Sequence, residues 1–124
     1  MQLTEHRPER ELFVRAADAT RVVIVDREFR RSLVLSAERV IEDFAPQRVS
    51  ELDTAAIASV LTLTPEVVLL GTGGRAVFPP QAVLAEFLKR GIGLETMDSA
   101  AAARTFNVLA GEGRKVAAIF LIEA

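Results

Sequence analysis

The order of strand and helix patterns in residues 50–124 constrains the fold of this chain more than any other feature. Strands are predicted at residues 67–70, 94–97 and 116–122, and the first and last of these are unbroken apolar runs. Unbroken apolar strands are typical of parallel sheets that are covered on both faces. Because helical patterns separate the three strands, the order predicts a βαβαβ unit with right-handed crossovers.

Apolar residues at helical spacing fill the segments around these strands. The predicted helix starts are Ser50 or Asp53, then Pro79-Pro80, then Asp98 or Ser99. Small polar residues favour the N-cap, and proline is tolerated in the first helical turn. The second helix has an apolar face that we expect to be buried, formed by Val83, Leu84, Phe87 and Leu88.

The first half of the chain has the pattern of β-strands instead. Residues 20–25 are largely β-branched, and residues 28–36 alternate for part of their length. With Asp26-Arg27 as the turn between them, they predict a hairpin. Residues 12–16 and 40–44 are predicted as further short strands.

These patterns together define a fold class. We expect a three-layer α/β protein with a mixed central sheet, in which an N-terminal β-hairpin half packs on or extends the sheet of the C-terminal βαβαβ half. A flexible polar leader is predicted at residues 1–10 and a single domain at residues 11–124.

Two residue counts exclude several kinds of site. The 124 residues contain no cysteine and one histidine, His6, in the polar leader. Thiolate metal centres, a cysteine nucleophile and the common multi-histidine metal sites are therefore excluded. No carboxylates have the spacing of an oxygen cage, so we expect neither a metal nor another cofactor.

Charge and hydropathy disfavour two further classes of protein, those that bind nucleic acids and those that span a membrane. The chain has 15 basic and 17 acidic side chains and neither tryptophan nor tyrosine, which disfavours nucleic-acid binding. Its longest apolar run, at residues 116–122, is far below the roughly 20 residues that span a bilayer. The first residues lack the apolar stretch of a signal peptide. We expect a cytoplasmic bacterial protein that is not integral to a membrane.

A glycine-rich segment, residues 71–74, follows the first predicted strand of the βαβαβ unit; we call it the glycine loop. It fits the G-x-G-x-x-A pattern through Gly71, Gly73 and Ala76, but a dinucleotide-binding loop must open a helix at once, and four residues intervene here. A structural role for the glycines is therefore the stronger interpretation. Open α/β sheets nevertheless form crevices at the carboxyl ends of parallel strands, where this loop and the turn at Asp98 are expected to meet.

The third predicted helix carries polar residues that point to the same crevice. Arg104 and Asn107 are three residues apart and share a face. Asparagine is a poor helix former, so it either binds a ligand or satisfies backbone groups, which we expect in the glycine loop or at a strand end. The candidate crevice residues are Gly71, Thr72, Gly73, Gly74, Asp98, Ser99, Arg104, Thr105 and Asn107.

The order and spacing of these segments resemble one protein family. The segments that carry the resemblance are Gly71-Thr72-Gly73, Phe78-Pro79, Met97-Asp98, Arg104-Thr105-Phe106-Asn107 and Glu112-Gly113-Arg114, followed by the last apolar strand. They are similar to an uncharacterised bacterial and archaeal family to which the assembly factor three of mitochondrial respiratory complex I also belongs. The resemblance implies a three-layer α/β fold with a mixed sheet, and a non-enzymatic role with a protein partner.

Two departures from the family pattern bear on activity. Many relatives have cysteine where this chain has Ala103, and tyrosine where it has Phe106. A binding role survives the loss of a thiol and a phenol more easily than an enzymatic one. We therefore expect a protein-binding, assembly-factor-like protein. The alternative is a small-molecule or anion-binding protein, or an enzyme, that uses the glycine-loop crevice; a homodimer is compatible with either.

Overall fold

The structure is a computed structural model that describes residues 11–124, so the predicted leader lies outside the described residues. The strands are β1 (Val14–Ala17), β2 (Val22–Ile24), β3 (Arg27–Phe29), β4 (Leu33–Leu35), β5 (Val40–Ile41), β6 (Val67–Gly71), β7 (Gly93–Met97) and β8 (Val116–Phe120). The α-helices are α1 (Thr54–Leu61), α2 (Gln81–Leu88) and α3 (Ser99–Gly111), and a 3-10 helix, Val49–Glu51, precedes α1.

Five strands form a mixed central sheet in the order β5-β4-β8-β6-β7. β6 is parallel to both of its neighbours, β7 and β8, which confirms the predicted βαβαβ unit. β4 pairs antiparallel with β8 and with β5, so part of the N-terminal half extends this sheet. The remaining strands, β1, β2 and β3, form a separate antiparallel sheet.

The central sheet is buried on both faces, which produces the three predicted layers. Along β6, Val68 and Leu70 pack into an apolar cluster with α1 and α2. Val67 and Leu69 pack into a second cluster with α3 and the three-stranded sheet. Successive side chains of a strand point to opposite faces, so a strand between two layers must be apolar throughout.

The first hairpin differs from its prediction in the position of the turn. Arg27 pairs with Ile24, so the turn lies at Val25-Asp26 and the predicted turn at Asp26-Arg27 is wrong by one residue. Val25 has a φ of 55°, a conformation that β-branched residues rarely adopt. The residue types at this turn do not indicate that Val25 occupies a turn position.

The strand predicted at residues 28–36 is two strands in different sheets. The chain leaves β3 and enters β4 at residues 30–32, where Ser32 is 3% exposed. Its hydroxyl accepts a hydrogen bond from the Ile122 N–H at 2.9 Å, which fixes the change of sheet against the end of the chain. The apolar alternation continues across the break because Phe29 and Leu33 enter the same cluster.

Leu88 is the exception on the predicted apolar face of α2. It is 71% exposed, whereas Val83 and Phe87 are buried. Each residue turns the helix by about 100°, so Leu88, one position past Phe87, lies at the margin of the buried stripe. It is also the last residue of the helix, and nothing in the described chain covers it.

An amide side chain joins α3 to the three-stranded sheet. The Asn107 Oδ1 accepts a hydrogen bond from the Val14 N–H at 2.9 Å, and its Nδ2 donates to the Val14 carbonyl at 2.8 Å. Of the two expected partners, the glycine loop is wrong and a strand end is right, because Val14 is the first residue of β1. Asn107 is eight residues past Ser99, about 12 Å along the helix axis, so the loop at the N-terminus of α3 is out of reach.

Replacing Asn107 with leucine should destabilise the protein although leucine is the better helix former. The change leaves the Val14 N–H and carbonyl without partners in a part-buried position, at a cost of about 1–3 kcal/mol. Urea denaturation measures the effect. Arg104→Leu, at an exposed position of the same helix, is the control and should stay within about 0.5 kcal/mol. An Asn107→Leu midpoint at or above wild type, with an unchanged slope, would contradict this role.

Candidate functional site

The glycine loop is closed onto the first turn of α3 by one serine. The Ser99 N–H donates to the Gly73 carbonyl at 2.8 Å, and its hydroxyl accepts from the Gly73 N–H at 2.9 Å. Ser99 is 1% exposed, whereas Gly73 is half-buried, so the serine side of this pair of bonds is buried. Gly73 has a φ of 87°, which requires glycine at this position.

Two further polar groups of the predicted crevice are occupied within the same loop. The Thr72 hydroxyl donates to the Arg75 carbonyl at 2.6 Å and accepts from the Val77 N–H at 2.9 Å. The Asp98 carboxylate accepts from the Ala101 N–H at 2.7 Å and caps α3. These side chains therefore hold the loop and the helix start in place.

Gly71 brings β6 close to α3. A Cβ at this position would lie 3.1 Å from the Ala102 Cβ, 3.2 Å from the Ser99 Oγ and 3.3 Å from the Ile119 carbonyl oxygen. Such distances are shorter than ordinary van der Waals contact, so a side chain at position 71 would require its neighbours to move by a few tenths of an ångström. Gly74 is different, because a Cβ there would meet no atom within 4 Å.

An open cleft of about 470 Å³ lies between the carboxyl ends of β6 and β8. We call it the β6–β8 cleft; its lining comes from residues 47–49, residues 72–75, Val77, Leu121, Glu123 and Ala19. The sequence predicts a crevice where the glycine loop meets the turn at Asp98. At that meeting point two hydrogen bonds join Ser99 to Gly73.

The predicted crevice residues separate into three groups in the structure. Thr72, Gly73 and Gly74 line the β6–β8 cleft. Gly71, Asp98 and Ser99 lie at the junction of the loop with α3. The residues on the body of α3 do not line this cleft: Arg104, Thr105 and Asn107.

Two arginines give the β6–β8 cleft its charge. The Arg48 Nε lies 3.3 Å from a Glu123 carboxylate oxygen, while the Arg75 side chain has no ion-pair partner within residues 11–124. Sequence reasoning missed both arginines. Arg75 could have been predicted as a cleft residue because it directly follows the glycine loop. The position of Arg48 could not, because it depends on contacts between segments that are distant along the chain.

Among the described residues, the segment around α2 carries the two large apolar side chains with the highest exposed fractions. Phe78, before the helix, is 76% exposed and Leu88, at its end, is 71% exposed. Beside Leu88, Glu86 lies 3.1 Å from Lys89 and 3.0 Å from Arg90. Hydrogen bonds first from Lys89 and then from Arg90 lower the pKa of the Glu86 carboxyl, so this end of α2 carries fixed charges of both signs. We call residues 78–88 the α2 surface.

The described residues contain neither a metal cluster nor a membrane-spanning helix. No group of three or more His, Cys, Asp or Glu side chains within residues 11–124 is placed to hold a metal ion. In the same range no helix combines the length and the apolar character needed to cross a membrane.

The mixed sheet between a helical layer and a helix-plus-sheet layer defines a small three-layer α/β protein. Its glycine loop is held by the hydroxyl groups of Thr72, within the loop, and of Ser99, in the first turn of α3. The chain belongs to the family described as "Protein of unknown function (DUF498/DUF598)", which it matches over residues 14–121.

Two relatives show how far the sequence similarity extends. The "13 kDa major membrane protein" of Francisella tularensis is 29% identical over 98% of this chain and 99% of its own length. The "NADH dehydrogenase [ubiquinone] 1 alpha subcomplex assembly factor 3" of Danio rerio is 38% identical over 74 residues, which are 58% of this chain and 42% of that protein. The predicted relation to this assembly factor is thereby confirmed.

Solved structures share the fold over nearly the whole chain. A Xanthomonas campestris protein is 42% identical, with a TM-score of 0.85 over 98% of this chain and 92% of its own. A Bordetella pertussis protein described as a Mth938-like domain is 25% identical, with a TM-score of 0.76 over 98% and 92%. A Bartonella henselae protein described as an outer membrane protein is 26% identical, with a TM-score of 0.75 over 94% and 98%.

Replacing Gly71 with alanine should destabilise the protein, whereas the same change at Gly74 should not. The new methyl group at position 71 would press on Ala102 and on the Ile119 backbone, and overpacking of this kind costs about 1–3 kcal/mol. At position 74 the methyl group enters open space, and the loss of chain entropy in the unfolded state favours the variant slightly. Thermal unfolding compares the two variants. Equal midpoints would show that β6 and α3 can separate without cost.

Proposed function

We propose that this chain is a non-enzymatic, protein-binding protein that resembles an assembly factor and contacts its partner through the α2 surface. The observation that carries the proposal is the exposure of Phe78 and Leu88 at the two ends of one helix. Burying a large apolar side chain is worth roughly 1.5–3 kcal/mol, so a partner that covers both gains free energy.

The state of the glycine loop also supports binding over catalysis. Its hydroxyl and carboxylate groups form the bonds that shape the loop, which leaves few of them free to act on a substrate. The Danio rerio relative is named as an assembly factor of a respiratory complex, which is a role of binding other proteins.

The cytoplasm remains the expected location of this function. The names of the Francisella and Bartonella relatives refer to membranes, and a partner that is itself a membrane protein would reconcile those names with the expectation. Contact through exposed side chains requires no spanning helix in this chain.

A second candidate function rests on the β6–β8 cleft. Arg75 lines this cleft without an ion-pair partner in the described chain, and Arg48 lies beside it. Clefts at the carboxyl ends of parallel strands are common ligand sites, and the Arg75 guanidinium suits a small anion, whereas Arg48 is paired with Glu123. This candidate is the anion-binding alternative of the sequence analysis. The arginines that line the cleft, Arg48 and Arg75, are not among the predicted crevice residues.

Loss of the exposed apolar side chains should abolish partner capture. The double variant Phe78→Ser/Leu88→Ser, used as bait in cells of the native host with chemical cross-linking, should recover at least tenfold less of the partner that wild type captures. Val108→Ser is the matched control, because Val108 is 58% exposed on α3, away from this surface. The proposal fails if the double variant captures the same partner at the wild-type level, or if wild type captures none reproducibly.

The anion-binding candidate predicts a saturable response to inorganic phosphate. In a titration followed by amide chemical shifts, the Gly73 and Gly74 signals should move and reach a plateau, and Arg75→Ala should weaken the apparent affinity several-fold. Arg104→Ala, at an exposed position on α3 outside the cleft, should leave it unchanged. Shifts that grow linearly up to high phosphate, or that are unaffected by Arg75→Ala, would remove this candidate.

A further inference from the structure

We propose that β7 is the docking strand for an extended segment of the protein partner, which adds to the central sheet and places lysine or arginine opposite Glu95. This inference rests on the proposed function, that the chain binds a protein, and names the chemistry of the partner. It concerns an edge of the sheet beside the α2 surface, since α2 leads directly into β7.

The backbone of β7 has one side free. The Met97 carbonyl accepts a hydrogen bond from the Thr72 N–H at 3.1 Å, so the peptide groups of Met97 point toward β6. Successive residues of a strand direct these groups to alternate sides, so those of Leu94 and Thr96 point away from the sheet. In the described sheet β7 pairs with β6 alone, so no strand within residues 11–124 lies on the outer side to which these two N–H groups and two carbonyls point.

The two edges of the central sheet are unequal. At the opposite edge, β5 has only two residues, Val40–Ile41, while β7 has five. Short edge strands protect a sheet against further pairing, whereas a longer edge with free backbone groups accepts an added strand. β7 is therefore the edge at which β-augmentation is geometrically favoured.

The side chains of β7 define what the added strand must carry. Glu95 is exposed and has no ion-pair partner within residues 11–124, and it lies between the two residues with free backbone groups. In an antiparallel addition the residue opposite Glu95 forms a non-hydrogen-bonded pair, in which the Cα atoms are only about 4.5 Å apart. A basic side chain at that position neutralises the carboxylate.

The residues on either side of that basic residue meet a different surface. Leu94 and Thr96 face away from Glu95, and Leu94 packs against the apolar cluster of α1 and α2. Apolar or β-branched residues would extend this cluster outward. The favoured segment thus reads apolar, basic, apolar.

A second copy of this chain fits the edge less well than such a partner. Antiparallel self-pairing centred on β7 would place Glu95 directly opposite its own counterpart, and like charges at that position are destabilising. An exposed charge in the middle of an edge strand is a common device against self-association. The same carboxylate that disfavours a dimer favours a basic partner.

The test uses a defined probe, a disulfide-cyclised β-hairpin peptide whose free strand reads Thr-Val-Lys-Val-Thr, and a twin peptide with glutamate in place of lysine. In titrations of the isotope-labelled chain, the Leu94 and Thr96 amides should shift and saturate. The lysine peptide should bind roughly two- to fivefold more tightly than its twin. Glu95→Lys should invert that order, and Glu38→Lys, an exposed carboxylate between β4 and β5, should leave it unchanged.

Thr96→Pro removes one N–H on the outer side of β7, where the described sheet has no neighbouring strand, so the fold should persist while peptide binding is lost. Shifts that map away from β7, the absence of a charge preference, or a preference that Glu95→Lys does not invert would overturn the inference. A wild-type dimer that Thr96→Pro dissociates would also overturn it, in favour of a second copy.

Failure of the peptide test while the Phe78→Ser/Leu88→Ser variant still loses its partner would refute only the docking strand. Saturable peptide binding at β7, combined with no partner captured by wild type in the host, would instead refute the proposed function.

Discussion

The three-layer arrangement depends on a side chain that takes the place of a neighbouring strand. The Asn107 amide forms two hydrogen bonds with the backbone of Val14. Its oxygen accepts from the Val14 N–H and its nitrogen donates to the Val14 carbonyl, as the backbone of a neighbouring strand would do. Without it, the edge of the three-stranded sheet would present unpaired peptide groups to α3 at their contact. One amide thus allows a helix and a sheet to share the same face of the central sheet, and apolar residues cannot supply this contact.

The same solution recurs at two other junctions. Ser32 holds the end of the chain through the Ile122 N–H, and Ser99 holds the glycine loop through both polar groups of Gly73. In each case a small polar side chain satisfies backbone groups where the regular ladder is interrupted. These polar side chains therefore join segments of the fold and are not free to bind a ligand. The surfaces that remain for function are the edges of the central sheet and the exposed sides of the helices.

Prediction from sequence succeeds where the signal is local. The buried strands β6 and β8 follow from unbroken apolar runs, and the N-caps at Asp53 and Asp98 follow from residue type; both carboxylates accept the expected backbone hydrogen bond. The polar character of Asn107 likewise indicated a structural demand. Its partner did not follow, because Val14 is 93 residues away along the chain and only the assembled fold brings them together.

The misplaced features have a common physical origin. A change of sheet between β3 and β4 leaves the apolar alternation intact, so no pattern of residue types marks it. The β6–β8 cleft depends on where residues 47–49 cross the end of the sheet, which is again a contact between distant segments. Leu88 shows the limit of helical periodicity, since a residue can have the correct spacing and still lie beyond the layer that would bury it.

The position of these exposed features favours recognition of an extended partner over recognition of a compact ligand. α2 and β7 are consecutive in the chain, and together they present apolar side chains, fixed charges of both signs and unpaired backbone groups. A small molecule satisfies one or two of these at a time. In the proposed complex, a polypeptide strand would form backbone hydrogen bonds along β7, and its alternate side chains would reach Glu95 on one face and the apolar cluster beside Leu94 on the other. Specificity then comes from the alternation itself, since a shift by one residue would place the basic side chain against apolar groups and leave Glu95 unpaired.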